Sequence, residues 1–291
     1  MADHIDRGTQ LRHQPSFMPV VWVVGVLVLA TVIFAVVKAI PSKSSAPAPL
    51  VSTSAITSTL AAVPAAAFAT VGSGTAKSLP QAITAPASAK DGKPWILYAG
   101  AEFCPYCAAE RWPMVVALSR FGTFTNLGLT HSSTSDVYPD TQTLSFHGAS
   151  YTSQYITFTG VETMSNVPQG DSYAPLDVLT SDEQKLVTIY DAAPYVPATA
   201  AGSIPFVDFG GKFLISGATY DPGVLQGKTA AQIAAALATP SDTISQAVLG
   251  TANTITAAVC ELTTDQPTAV CSTPAIQQLE SSFKANPASN G

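Results

Sequence analysis

Charge is scarce in this chain. Asp, Glu, Lys and Arg make up 11% of its 291 residues, against 47% hydrophobic ones. The apolar share is enough for a sizeable core, and the low charge suggests that part of the chain does not face water. Basic runs are missing, and the formal net charge is −6. No nucleic acid is expected as a partner, because phosphate binding needs a concentrated positive surface. No internal repeat divides the chain. Cysteine is confined to Cys104, Cys107, Cys260 and Cys271, with a single close pair. A zinc site usually needs two such pairs, and His131 and His147 lack a paired spacing, so no metal site is expected.

One run carries no charge at all. Val20 to Val37 reads VVWVVGVLVLATVIFAVV, close to the roughly 20 residues that cross a bilayer. A signal-peptide core is shorter, about 7–15 residues, and the KAIPSKSSAPAP that follows offers only weak cleavage sites. The expectation is an uncleaved signal anchor over residues 19–40, set in the lipid bilayer behind a polar tail over 1–18. Arg7 and Arg12 precede it and Lys38 and Lys43 follow, so the positive-inside rule is nearly tied. The even set of cysteines, all C-terminal to the run, breaks the tie, since such pairs persist outside the cytosol. That predicts a single-pass protein of the cell membrane with its C-terminal domain outside the cytoplasm. Residues 41–78, rich in Ala, Pro and Ser, read as a spacer in which VPAAAFATV can make a short helix.

The folded domain is expected over 79–291. PWILYAG (Pro94–Gly100) is a short apolar run, the pattern of a buried strand. The next stretch, Pro105–Gly122, reads as a helix capped by Gly122 and kinked at Pro113. LGLTHSSTS, TLSFHGA and YITFTGVET read as strands, and a helix capped at Thr180 or Ser181 follows. GSIPFVDFGGKFLISGA (Gly202–Ala218) gives two strands joined through Gly210-Gly211, a hairpin signal. The remainder is helical, with Thr229 or Gly227 and then TPSD at the helix starts. This order predicts an α/β fold with a mixed central sheet flanked by helices, and an extra helical part at the C-terminus.

The chemistry concentrates in EFCPYCAAERWP. Cys104 sits at a helix start, where unpaired amides and the helix dipole stabilise a thiolate. Cys107 is one turn on, close enough to resolve a mixed disulfide. Pro105 fits the first helical position, where its missing N–H costs nothing. A structural disulfide or a metal clip are the competing readings; the first would close too short a loop to stabilise much, and the second lacks ligands. A reversible dithiol is the reading that remains. Pro205, in SIPF, would be odd in a central strand unless special. A cis Ile204–Pro205 bond there would expose the Ile204 backbone for pairing with an extended peptide.

These elements resemble the thioredoxin-like superfamily: a strand before CPYC, a kinked helix after it, and an IPF hairpin followed by a terminal helix. The Pro105-Tyr106 dipeptide is similar to that of glutaredoxins. The resemblance implies Cys104 as nucleophile, Cys107 as resolving thiol, and Ile204 and Pro205 as the border of a substrate groove, with no cofactor. The acid that thioredoxins bury in the preceding strand has no equivalent; Tyr98 stands about there, with Glu102 and Glu110 nearby. The longer context, EFCPYCAAERWPMVVALSRFGTF with SSTSDVYPDTQTLSFHGASYTSQYITFTGVE, resembles the membrane-anchored family called domain of unknown function 929. The segment 136–191 is long for a thioredoxin and holds an expected insertion, in which Tyr151, Tyr155 and Phe158 read as sheet packing.

Cys260 and Cys271 flank ELTTDQPTAV. They read as a structural disulfide joining two helices, with a relay to the first pair as the alternative. The functional expectation is a membrane-tethered thiol–disulfide oxidoreductase. Its partners would be exported cysteine-containing proteins and a membrane or soluble redox partner. Its rivals are a non-catalytic peptide-binding module and a protein that delivers a thiophilic metal.

Overall fold

In the computed structural model of this chain, residues 52–285 are described; the expected tail and membrane anchor lie outside them. Two short helices come first, α1 (Thr53–Ala61) and α2 (Ala65–Val71). Three strands follow, β1 (Gln81–Ala82), β2 (Ala89–Lys90) and β3 (Lys93–Gly100), then helix α3 (Pro105–Leu118). The middle of the chain holds β4 (Gly122–Thr125), β5 (Gly128–His131), β6 (Gln142–Ser145), β7 (Ser150–Ser153), β8 (Thr157–Glu162), β9 (Met164–Gln169) and β10 (Ser172–Pro175). After α4 (Ser181–Tyr190) come the hairpin strands β11 (Phe206–Phe209) and β12 (Phe213–Ser216). A 3-10 turn (Pro222–Leu225) leads into α5 (Ala230–Ala236), α6 (Thr243–Leu262), α7 (Thr268–Cys271) and α8 (Pro274–Ala285).

The main sheet runs β1–β12–β11–β3–β2, with β8 also on β3. Only β8 pairs in parallel, so the sheet is mixed and the fold is mixed α/β. The unbroken apolar run in β3 suits its place: Trp95 through Gly100 are all buried, as a strand covered on both faces requires. The β11–β12 turn places Gly210 and Gly211 at φ 62° and 71°, the left-handed values that a two-residue hairpin turn demands. A side chain at Gly211 would also meet the Pro86 carbonyl at 2.3 Å.

Helix α3 is buried all round: only Tyr106 of its residues is exposed. Pro113 inside it cannot donate to the Ala109 carbonyl one turn back. The Tyr220 hydroxyl donates to that carbonyl instead, at 2.7 Å, and the Thr143 hydroxyl donates to the neighbouring Ala108 carbonyl at 2.7 Å. The helix ends at Leu118, not at Gly122. Gly122 instead opens β4, where any side chain would run into the Tyr151 ring and the Thr152 carbonyl. Tyr151, Tyr155 and Phe158 pack against the main core.

The folded body begins well ahead of Leu79. In the stretch whose composition suggests a spacer, α1 and α2 bury Ile56, Leu60, Ala67 and Val71 in the main core. Fully burying each larger side chain is worth about 1.5–3 kcal/mol. The Asn253 amide of α6 donates to the Phe68 and Gly72 carbonyls at 2.9 and 2.8 Å, satisfying the C-terminal end of α2. Gly250 lets the turn approach, since a side chain there would meet the Ser73 carbonyl at 2.4 Å. Among the described residues no single helix is long and apolar enough to cross a membrane; α1 and α2 pass that test only as a pair bent by 69°.

The segment 136–191 supplies β6 to β10 and α4; with β4 and β5 ahead of it, it makes three two-stranded ladders, β4–β7, β5–β6 and β9–β10, and the sheet strand β8. At the other end of the chain, Cys260 of α6 and Cys271 of α7 form a disulfide with Cα atoms 5.6 Å apart. Both residues are buried in the core. The two cysteines stand 11 positions apart, and for a loop of that size the chain-entropy model gives about 2–3 kcal/mol. We expect the double variant Cys260→Ser, Cys271→Ser to lose about that much stability in urea unfolding while Cys104 alkylates at the unaltered rate. Unchanged stability with slowed alkylation would mean that the pair is a relay.

Candidate functional site

Strand β3 delivers the chain to the CPYC turn. Gly100 ends the strand, and Cys104, in extended conformation at φ −76° and ψ 122°, caps α3. The Cys107 backbone N–H donates to Cys104 Sγ at 3.3 Å. Both cysteines are free and buried, Cys104 at 5% exposure and Cys107 at 0%. Cys104 is thus slightly accessible and Cys107 is fully enclosed.

The register of the sheet brings Pro205 to this turn from a hundred residues away. Phe206 pairs with Ala99 in the antiparallel β11–β3 ladder, so Pro205 falls beside Gly100. The Ile204–Pro205 bond is cis, and Cys104 Sγ lies 3.8 Å from the Ile204 carbonyl oxygen. The Pro205 carbonyl accepts from Gly217 N–H at 2.8 Å, which holds the far side of the hairpin. The structure thus brings together all four candidate residues, Cys104, Cys107, Ile204 and Pro205. Cys260 and Cys271 are joined to each other.

Under the cysteines lies a buried ion pair that sequence reasoning missed. Arg111, one turn after Cys107, donates from Nε and Nη2 to the two carboxylate oxygens of Glu162 at 2.7 and 2.6 Å. A third bond runs from Nη2 to the Ala101 carbonyl at 2.7 Å. Both side chains are wholly buried. Among the described residues, Arg111 Nη1 and the hydroxyl of buried Tyr98 have no hydrogen-bond partner. Tyr98 lies over Gly100, where a side chain would meet its hydroxyl at 2.4 Å, so the glycine makes room for the ring. The buried carboxylate near the cysteines comes from Glu162 on β8, the parallel neighbour of β3.

Electrostatics separate the two thiols. The hydrogen bond with the Cys107 side chain lowers the Cys104 pKa; the Cys107 backbone amide and the Arg111 charge add to this against burial. Burial pushes the Cys107 thiol well up, as does its bond to Cys104, with Arg111 pulling the other way. Burial works against the charge on Arg111, but Glu162 outweighs it and holds the guanidinium protonated. Burial raises Glu162, opposed by Arg111. The Cys104 thiol is thus shifted toward its thiolate and the Cys107 thiol away from it.

Glu110 stands apart from this cluster. Its Oε2 accepts from the Thr219 amide and hydroxyl at 3.0 and 2.8 Å, and its Oε1 has no partner among the described residues. Burial raises its pKa to about 7. The half-exposed Glu102 is tied through its backbone N–H to the Met164 carbonyl, at 2.8 Å. A hollow of about 530 Å³ lies at the opposite end of β3 around Lys93, Gly211 and Lys212. It holds no cysteine, so the site is assigned to the thiols rather than to that hollow. Among the described residues no group of three or more His, Cys, Asp or Glu side chains could hold a metal ion.

The family model described as Domain of unknown function (DUF929) matches residues 82–261, which span the CPYC turn, the buried ion pair and the hairpin. No curated protein and no solved structure matches the chain.

Glu110 gives a pH test of this electrostatic picture. Its carboxyl titrates near 4.5 when unperturbed and at about 7 in the fold. Its protonated form therefore adds stability that is complete below pH 4.5 and is lost as pH rises through 7. Over that window the loss is about 3 kcal/mol. In urea unfolding, Glu110→Gln is expected to be more stable than the wild type above pH 7 by about that amount, with the gap closing toward pH 4.5. A gap independent of pH would contradict the assignment.

Proposed function

Because the chain belongs to the DUF929 family, whose description states no activity, we propose a function from the site itself: thiol–disulfide exchange on protein cysteines, in a thioredoxin-like fold. The observation that carries it is the free Cys104–Cys107 pair at the start of α3, Cys104 slightly accessible and Cys107 fully enclosed, beside the Ile204 carbonyl. The thioredoxin-like reading is supported by the strand–CPYC–helix unit, the antiparallel hairpin pairing that sets Pro205 beside it, and the helices that close the chain.

The reaction balances in two steps. The Cys104 thiolate attacks one sulfur of a substrate disulfide; a new Cys104–substrate bond forms and the other substrate sulfur leaves as a thiolate. Cys107 then attacks Cys104 Sγ. Its proton passes to the departed thiolate, and the second substrate sulfur is released. The substrate gains two electrons and Cys104–Cys107 is left as a disulfide. Run backwards, the same steps oxidise a substrate dithiol. The Ile204 carbonyl beside Cys104 offers a main-chain acceptor for an extended substrate segment. Arg111 faces Cys107 when it loses its proton, and Glu162 fixes the guanidinium so that it needs no rearrangement.

The exported, membrane-tethered setting belongs to the same proposal. It rests on the uncharged run at 20–37 and on the Cys260–Cys271 disulfide, a bond that persists in oxidising compartments.

Three variants test the exchange. With a peptide disulfide as substrate, Cys104→Ser is expected to fall to the uncatalysed background. Cys107→Ser is expected to accumulate a mixed disulfide through Cys104, visible as added mass that dithiothreitol removes. The pair Arg111→Met, Glu162→Gln removes both buried charges together and avoids leaving one unpaired. It is expected to raise the thiol pKa values and slow resolution about tenfold, a change of about 1.4 kcal/mol. A Cys107→Ser protein that traps no substrate would leave a non-catalytic binding module as the better account.

A further inference from the structure

We infer that the two arms flanking the CPYC turn select an extended protein segment with a large apolar side chain beside its disulfide and no acidic residue there. The inference rests on the proposed exchange at Cys104 and names its substrate class. The arms are the β5–β6 loop and the β9–β10 hairpin, and both are tied to the turn itself. The Ser133 N–H donates to the Phe103 carbonyl at 2.7 Å, and the Tyr173 hydroxyl donates to Ser133 Oγ at 2.6 Å. Tyr173 stacks on Phe103 with ring centroids 4.3 Å apart and planes 4° from parallel. On the other side of Cys104, Tyr106 meets Tyr138 edge-on at 6.1 Å. The Asn166 amide donates to the His131 carbonyl at 2.9 Å and links the two arms.

Large apolar side chains gather here in spite of water. Exposed ones include Tyr106 at 42%, Val137 at 53% and Val167 at 58%, with Leu129 close behind. Tyr106 lies on the turn and Val137 and Val167 on the arms, while Leu129 sits in β5 just before the first arm; Leu79, Val178 and Ile189 are exposed away from them. A cluster of this kind around a nucleophile needs a partner that covers it. The charge of the arms decides which partner. No lysine or arginine occurs between Arg120 and Lys185, whereas Asp136, Asp140 and Asp171 sit on the arms and Glu102 on the turn. Across the Tyr138 ring, Asp221 takes up the nearby Lys77 at 3.4 Å. No lysine or arginine on the arms offers a charge to the carboxylates of a small anionic disulfide such as oxidised glutathione, and the carboxylates of the arms repel it. An uncharged or basic polypeptide meets no such repulsion, can pair with the Ile204 carbonyl, and can cover the valines.

The test uses three disulfide probes with the full chain, recycled by dithiothreitol: a peptide with Leu beside its cysteine, the same peptide with Gly there, and oxidised glutathione. The Leu peptide is expected to exceed the Gly peptide about tenfold in kcat/KM. Glutathione should be slowest, with a gap that narrows as salt is added. In Val137→Ser, Val167→Ser the Leu/Gly ratio should approach one. In Val178→Ser, an exposed site off both arms, it should stay at the wild-type value. A ratio near one in the wild type, an unchanged ratio in the double variant, or preference for glutathione would overturn the inference. If no probe turns over although Cys104 still alkylates, the exchange reading fails instead. Binding of the two peptides, read by fluorescence anisotropy, then decides for the surface: tighter binding of the Leu peptide supports it and equal binding overturns it.

Discussion

The buried pair of Arg111 and Glu162 is the interaction on which the site depends. It joins the helix that carries both cysteines to β8, the one parallel neighbour of β3. Each charge alone in that interior would cost several kcal/mol; together they satisfy each other, and the third bond reaches the Ala101 carbonyl in the CPYC approach. The strand end, the turn and the helix are thereby fixed as one body. A positive charge is held under Cys107 at the same time, without being free to leave it.

Much of the surrounding packing follows from making room for this pair. Tyr98 covers Gly100, and its register partner Gly160 leaves space for Phe146, whose ring meets Tyr98 edge-on at 4.9 Å. The Phe146 N–H points at Glu162 Oε1 at 3.5 Å, and Asp177 holds the Glu162 backbone N–H at 3.1 Å. Two glycines on adjacent strands thus admit the aromatic wall that keeps water from the ion pair. At the same helix start Cys104 keeps 5% exposure and Cys107 none. The asymmetry between the thiols follows from the hydrogen bond that lowers Cys104 and from the burial that raises Cys107.

The parts of this arrangement written in local pattern were legible in the sequence. The apolar run of β3, the cysteine at a helix start, the Gly210-Gly211 turn, the caps at Thr180 and Thr229 and the Cys260–Cys271 spacing each depend on neighbours within a few residues. The Arg111–Glu162 pair was not legible, because its partners stand 51 positions apart and nothing in either quoted stretch says that they meet. A buried arginine in a helix reads as an ordinary charged residue until the strand opposite is known. The burial of α1 and α2 was hidden for a different reason. VPAAAFATV reads as a short helix, and α2 forms there, but the Ala, Ser and Thr content of both helices matches a spacer; their seats lie far along the chain, α5 for α1 and Gly250 with the Asn253 amide for α2. Gly122 looked like a helix cap, but the constraint on it is the Tyr151 ring across the β4–β7 ladder.

The central claim is that Cys104 and Cys107 form a reversible two-electron couple while Cys260 and Cys271 remain a fixed disulfide. A redox titration in dithiothreitol buffers, with each cysteine followed by alkylation and mass analysis, tests it directly. The account predicts a single transition confined to Cys104 and Cys107, at a potential above about −300 mV, the range below which structural disulfides lie. It also predicts that Cys260 and Cys271 stay unlabelled throughout that transition. A Cys104–Cys107 pair that never oxidises, or one that titrates only together with Cys260 and Cys271, would contradict it.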